Sequence, residues 1–469
     1  MSIEALILKE KETLTAAIKK YAAKFIDLRF TNLRGKEQHI SLAVASLPDD
    51  FIEHGILIAA SSLTYWQNPQ PATYALLPDV NSILLDPFYQ NNSLLVRCNL
   101  FDPQTKLAYY LDPRTVAHRA EKYLRNTGIA DYACFGAQPE FFLFDDVRWE
   151  NAINGAFYKI DADEAPWNSS KTVHGGNSGH RPAMQTGKLP LPPIDALHDL
   201  RSAIALTLES LGSPVKTHYQ GTTTNQAVIT TNFTNLSQKA DELQLLKYVV
   251  HNVAHNYGKT ATFMPKPLAT GNGNNMYCQF SLMQNGQNLF AGVENERLSP
   301  IVLHSIGGII AHARTLNAFT NPTANSYKRL ITLFNNPKQL TGTTETQPAA
   351  ISVISDLNSF NQYIELRFAD PTTNPYLAFA AILLAAIDGI KRKINPAPLI
   401  TAHPVQVTPT LSTSFDEAIK QLQIDHEFLL QGEVFSRELI NNYIDCCRSE
   451  IAQLNSLIHP KEFELYYSL

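Results

Sequence analysis

Glu365 and Arg367 stand two residues apart in the run Ile364–Phe368, where the alternate positions are apolar. Residues two apart on a strand share a face, so an acid and a guanidinium sit side by side there. Such a pair can neutralise itself, or it can offer one cation and one anion to a ligand. An ion pair left in place is weak evidence for stability. Thiol chemistry is poorly served by comparison. The five cysteines, Cys98, Cys134, Cys278, Cys446 and Cys447, are odd in number, and no pair has the C-x-x-C spacing of a zinc or redox site. They read as buried reduced thiols, which suits a cytoplasmic protein.

The elements that must position such residues follow from the pattern of the chain. Its 469 residues suggest two or three domains, at ~100–200 residues each. With 44% hydrophobic and 17% charged residues, the composition is globular. The net charge of −5 offers no basic stripe for nucleic acid. The N-terminus mixes charge into its apolar residues and does not read as a signal peptide. The longest apolar run, 376–387, is too short to cross a bilayer and reads as a core helix.

An amphipathic helix over 4–24 is expected first, then strands at 25–30 and 38–44 joined by a turn at Gly35–Lys36. Further β-like runs lie at 82–85 and 94–99, so the first 112 residues read as a small sheet-rich domain. Asp112 and Pro113 read as the N-cap and first residue of a helix over 114–126. Beyond it, strands at 140–144, 279–282 and 363–368 mix with helices at 194–211, 240–257, 300–319 and 376–394. Parallel βαβ alternation is weak, and an antiparallel α+β fold fits better. A Pro-, Thr- and Ser-rich loop covers 395–414. Helices follow to about 456, then an extended tail.

Seven stretches carry a likeness: KFIDLRFTNLRGKEQH (24–39), PEFFLFDD (139–146), HRPAMQTGKLPLPP (180–193), LKYVVHNVAHNYGKTATFMPKP (246–267), NPTANSYKRL (321–330), IELRFADPTTNPYLAFAA (364–381) and HPKEFELYYSL (459–469). In order and spacing they resemble type I (bacterial) glutamine synthetase along nearly the whole chain. The resemblance implies an N-terminal β-grasp domain (1–112) and a catalytic-type domain (113–469). It implies a dodecamer of two hexameric rings, with active sites between neighbouring subunits of a ring. The tail 459–469 would insert into the opposite ring.

That family uses ATP and Mg2+ or Mn2+ to make a γ-glutamyl phosphate, which ammonia then displaces. Hard oxygen ligands must hold the metals, cations must stabilise the transferring phosphoryl group, and a carboxylate must take a proton from ammonium. Against the family pattern, the metal positions are Gln138, Glu140, Gln220, Val228, Tyr277 and Glu365, of which only Glu140 and Glu365 keep a carboxylate. Gln279 replaces a further histidine. Arg329 and Arg367 are kept, but Gln347, Ser352 and Tyr363 stand where the family has arginines. Asn335 replaces the acid of the flap, and Ala59 replaces the ammonium aspartate. His218 matches a histidine beside the substrate. No tyrosine lies between Tyr376 and Tyr443, so the family's adenylylation site is absent.

The expectation drawn from these losses is a catalytically inactive member of the family with a degenerate metal site and no cofactor. Its role would then be structural or regulatory, through ring assembly or co-assembly with an active glutamine synthetase. Two alternatives stand beside it. One is an active ATP-dependent glutamate–ammonia, or glutamate–amine, ligase with a remodelled site and fewer metals. The other is a binder of amino acids or nucleotides that uses Arg329 and Arg367. No nucleic-acid or membrane partner is expected.

Overall fold

The computed structural model describes residues 3–60, 73–182, 184, 189–291, 298–334, 350–355, 362–396 and 411–467. The leading helix α1 spans Ile3–Tyr21. Strands β1 (Phe25–Thr31) and β2 (Glu37–Ala43) form the expected hairpin. Its turn needs Gly35, which sits at φ +82°, and a Cβ there would come within 2.8 Å of Asn374 Cα. A short helix α2 (Phe51–His54), β3 (Ile56–Ala59), β4 (Thr73–Pro78), β5 (Leu84–Leu85) and β6 (Ser93–Phe101) complete this sheet. The strand order is β2-β1-β6-β4-β3, with β5 paired to β6. The β1–β6 pair is parallel, while the other pairs are antiparallel.

Charge is buried in this sheet, but in matched sets. Arg29 bonds Asp27 at 2.8 Å and Asp86 at 2.9 Å. Its guanidinium also lies 3.8 Å from the centre of the Tyr248 ring. Buried charges persist only when partnered in this way.

Helix α3 (Pro113–Thr127) begins as its sequence dictates, with the Asp112 side chain accepting from the Thr115 amide at 3.2 Å. Strand β7 (Tyr132–Phe144) follows, and then a separate hairpin of β8 (Asp146–Ala152) and β9 (Gly155–Asp161). That hairpin leaves Trp149, Ile153, Phe157 and Tyr158 exposed. Helix α4 (His198–Ser210), strands β10 (Val215–Gln220), β11 (Gln226–Thr231) and β12 (Thr234–Asn235), and helix α5 (Leu236–Asn256) come next. After β13 (Thr260–Thr262), β14 (Met276–Gln284) and β15 (Gln287–Asn288) come helices α6 (Pro300–Ala311), α7 (Ala313–Thr320) and α8 (Ala324–Phe334). Strands β16 (Ile351–Ser355) and β17 (Gln362–Leu366) and helix α9 (Pro375–Arg392) follow. The second sheet runs β10-β11-β7-β14-β17-β16, antiparallel throughout.

Helix α9 is the spine of the core. Every residue from Pro375 to Gly389 is buried, as an all-round apolar helix requires. The expected helix over 300–319 is divided at His312. That ring bonds Asp425 at 2.8 Å and Asp388 at 3.0 Å and lies on the Phe428 ring at 3.9 Å. The tail is not extended. Residues Pro460–Tyr466 form a helix, because His459 and Glu462 make a reciprocal capping box.

Candidate functional site

One face of the second sheet gathers most of the polar residues singled out in the sequence. Directly paired residues of antiparallel strands point to the same face. Glu140 of β7 pairs with Val228 of β11, which pairs with Tyr219 of β10. Gln138 pairs with Tyr277 of β14. Gln279 pairs with Glu365 of β17, which pairs with Ser352 of β16. Tyr363 lies two residues before Glu365 on the same pleat, its ring 5.2 Å from that of Phe233.

The two retained acids are held differently, Glu140 by amide donors and Glu365 by one amide and one guanidinium. Glu140 Oε2 accepts from the Asn275 amide at 2.9 Å, Asn275 Nδ2 at 3.0 Å and Gln226 Nε2 at 3.1 Å. Glu365 Oε2 accepts from Gln279 Nε2 at 2.9 Å, and its Oε1 accepts from Arg367 Nε at 2.7 Å. Gln138 donates to the Tyr219 hydroxyl at 2.7 Å. The Arg367 guanidinium lies 5.6 Å from the Tyr277 ring centre and is partly exposed. Burial, followed by the nearby Glu140 carboxylate, pushes the Tyr277 and Tyr219 phenols up. Both therefore stay neutral donors at ordinary pH.

Other expected positions lie elsewhere. His218 is on the pleat opposite Tyr219, with its ring 5.5 Å from that of His198 on α4. Gln220 follows His218 on that pleat and pairs with Ala227. Parity therefore brings Tyr219, not His218 or Gln220, to the face of Glu140. Arg329 is 1% exposed and donates to Asn275 Oδ1 and the Phe368 carbonyl, so it braces the loop that holds Glu140. Burial pulls its pKa down. Ala59 is exposed at the end of β3 in the other sheet. Asn335 and Gln347 lie outside the described residues.

Gln226, Asn275 and Tyr219 were missed by sequence reasoning. The signal available was spacing: Gln226 is two residues from Val228, and Asn275 immediately precedes β14, two residues before Tyr277.

Of the residues expected to hold divalent cations, Glu140 and Glu365 bring the carboxylates to this face. The carboxylates are committed to hydrogen bonds, and Val228 offers no donor atom. Among the described residues no group of three or more His, Cys, Asp or Glu side chains could hold a metal ion.

The chain matches known proteins along nearly its whole length. Residues 22–103 match the glutamine synthetase β-grasp domain, and residues 110–466 match the glutamine synthetase catalytic domain. The chain belongs to the glutamine synthetase family. It is 44% identical over 465 residues to the glutamine synthetase of Vibrio alginolyticus, covering 98% of this chain and 99% of that one. It is 43% identical over 466 residues to that of Escherichia coli (strain K12), with the same coverage. Among solved structures, a Plasmodium falciparum glutamine synthetase superposes with a TM-score of 0.88 at 25% identity, over 100% of this chain and 99% of that one. Apo GmaS shares the fold, with a TM-score of 0.79 at 23% identity over 97% and 99% of the two chains.

These likenesses overturn the expectation of an inactive chain. Relatives matched from end to end at 43–44% identity are glutamine synthetases, which supports an active ligase. Lost carboxylates do not by themselves mean lost turnover, since amides and phenols share the face of Glu140 and Glu365 and supply oxygen atoms and donors of their own.

Proposed function

We propose that the chain is an ATP-dependent ligase that joins ammonia or a small amine to a glutamate-type side-chain carboxylate on a remodelled site. The observation that carries this reading is the full-length likeness to glutamine synthetases at 43–44% identity. In the reaction, a carboxylate oxygen attacks the γ-phosphorus of ATP, and ADP leaves. The neutral amine then attacks the acyl carbon, phosphate departs with the C–O bond electrons, and the extra proton on nitrogen passes to the departing phosphate. ATP supplies the activating phosphoryl group, and the family uses Mg2+ or Mn2+ with it.

The residues of this chain then divide the work. Arg367, partly exposed beside Tyr277, supplies positive charge toward the acidic groups of substrate and phosphate. Arg329 and Asn275 hold Glu140 in place. Tyr219 and Tyr277 present hydroxyls that stay protonated. With Ala59 where an aspartate would attract ammonium, a neutral amine is the better-suited nucleophile.

The subunits are proposed to form rings of identical chains in the cytoplasm. Exposed Phe463, Leu465, Tyr466 and Tyr467, with the apolar β8–β9 hairpin, suit self-association. Among the described residues no helix is long and apolar enough to cross a membrane.

The test is phosphate release from ATP with glutamate, offered ammonia or methylamine, and either Mg2+ or Mn2+. Glutamate- and amine-dependent release within about a hundredfold of an ordinary member, about 2.7 kcal/mol of barrier, is the expected result. Release that does not depend on glutamate or amine under any of these conditions would refute the proposal.

A further inference from the structure

A cavity of about 470 Å3 opens where the turn of the β1–β2 hairpin meets α5, the segment 262–265 and the start of α8. None of the residues that form the polar face of the second sheet lines it. Its lining includes Lys36, Lys247 and His251, with Phe263, Met264, Pro265 and Pro371 as an apolar wall, and no carboxylate. Arg34 is also at its edge but is spent on Glu450 and the Pro322 carbonyl.

Lys247 is the informative group. Its ammonium has three protons to donate. The one acceptor found is the Thr373 carbonyl, at a long 3.3 Å. Glu37 and Asp370 act on it through space, but both are committed elsewhere. Glu37 pairs with Arg97, and Asp370 accepts from the Thr372 amide at 3.1 Å and Asn321 Nδ2 at 3.2 Å. Burial pulls the Lys247 ammonium down to about 8, so it is charged at neutral pH and poorly compensated. The Lys36 ammonium has no ionic partner among the described residues. Helix α8 adds the positive end of its dipole, since Thr323, just before it, and Asn325 of its first turn line the cavity and Thr323 Oγ1 caps the Ser326 amide at 3.0 Å.

Two ammonium groups, a helix N-terminus and no opposing acid make a complement to a doubly charged anion. The apolar wall and the volume leave room for an organic body beyond the charge. We infer that this cavity is a binding site, separate from the site sheet, for a small phosphate monoester with an apolar substituent. A ligand there would touch the N-terminal hairpin and the catalytic-type domain together.

The test is calorimetric titration of the full chain with inorganic phosphate and with phenyl phosphate at constant ionic strength. Phenyl phosphate should bind the more tightly of the two. Lys247→Met, which keeps the apolar stem, should weaken binding about tenfold or more, as loss of a charge-assisted bond implies. Arg367→Gln, on the site sheet, should leave binding unchanged. Circular dichroism checks that Lys247→Met folds; if it does not, Lys36→Met carries the same expectation at a smaller size. No binding of either probe at millimolar concentration overturns the inference. So does binding that Arg367→Gln abolishes and the lysine variants spare, since the phosphate would then sit on the site sheet.

Discussion

Replacing Glu140 tests whether the retained acid is a braced part of the remodelled site or an uncompensated carboxylate awaiting a cation. In the folded chain its Oε2 takes three donors. Glu140→Ala removes that acceptor. Gln226 Nε2 loses little, because it also donates to the Gly273 carbonyl at 3.0 Å and Asn274 Oδ1 at 3.1 Å. The Asn275 amide and its Nδ2 are left without an acceptor, and an orphaned buried donor costs roughly 1–3 kcal/mol. The expected destabilisation is therefore about 2–6 kcal/mol. Glu140→Gln keeps an acceptor oxygen at the same reach and should lose about 1 kcal/mol. Denaturant midpoints at one fixed protein concentration, with a chelator present, measure both. The carboxylate of a strained metal or catalytic site behaves in the opposite way, since removing it relieves strain and commonly stabilises. An alanine variant as stable as the parent, or more so, would refute the bracing argument.

Two further predictions concern stability. Glu164 is part-buried and accepts from Asn225 Nδ2 at 2.6 Å, and burial pushes its carboxyl up to about 7. A folded pKa above the unfolded value means that its contribution is fully present below the unfolded carboxylate range. It is lost as pH rises through about 7. Glu164→Gln should therefore flatten the fall in stability between about pH 5 and pH 8, by about 1–2 kcal/mol; denaturation curves that keep the parent's pH slope would reject this. At the crossing of α6 and α9, a Cβ on Gly389 would lie 2.2 Å from the His304 carbonyl oxygen and 2.6 Å from Gly308 Cα. Gly389→Ala should lower stability by about 1–3 kcal/mol, whereas Gly155→Ala, with nothing within 4 Å, should change it by less than about 0.5 kcal/mol. Equal thermal midpoints for the two variants would count against the packing argument.

Much of the fold was legible because its signals are local and repeated. The apolar run in α9, the Asp112–Pro113 helix start and the Gly35 turn each declare themselves within a few residues. The tail helix was less visible, because a seven-residue helix depends on one cap, His459 with Glu462, not on a long period. The site was legible in its acids and cations and obscure in its amides. Which of His218, Tyr219 and Gln220 meets Glu140 depends on pleat parity across β10, β11 and β7, and a one-residue slip reverses it. Matching motif letters selects His218 and Gln220; the register selects Tyr219.

The same blindness explains why loss of charge read as loss of function. A buried carboxylate that loses its partners costs several kcal/mol, so a site that merely decayed would leave Glu140 and Glu365 stranded. Neither acid is stranded. Gln226 and Asn275 surround the first, Gln279 and Arg367 hold the second, and Gln138 is tied to Tyr219 alongside them. A one-position reading scores each amide or phenol as a missing ligand. Only the assembled face reveals them as neighbours and hydrogen-bond partners, which buried carboxylates require.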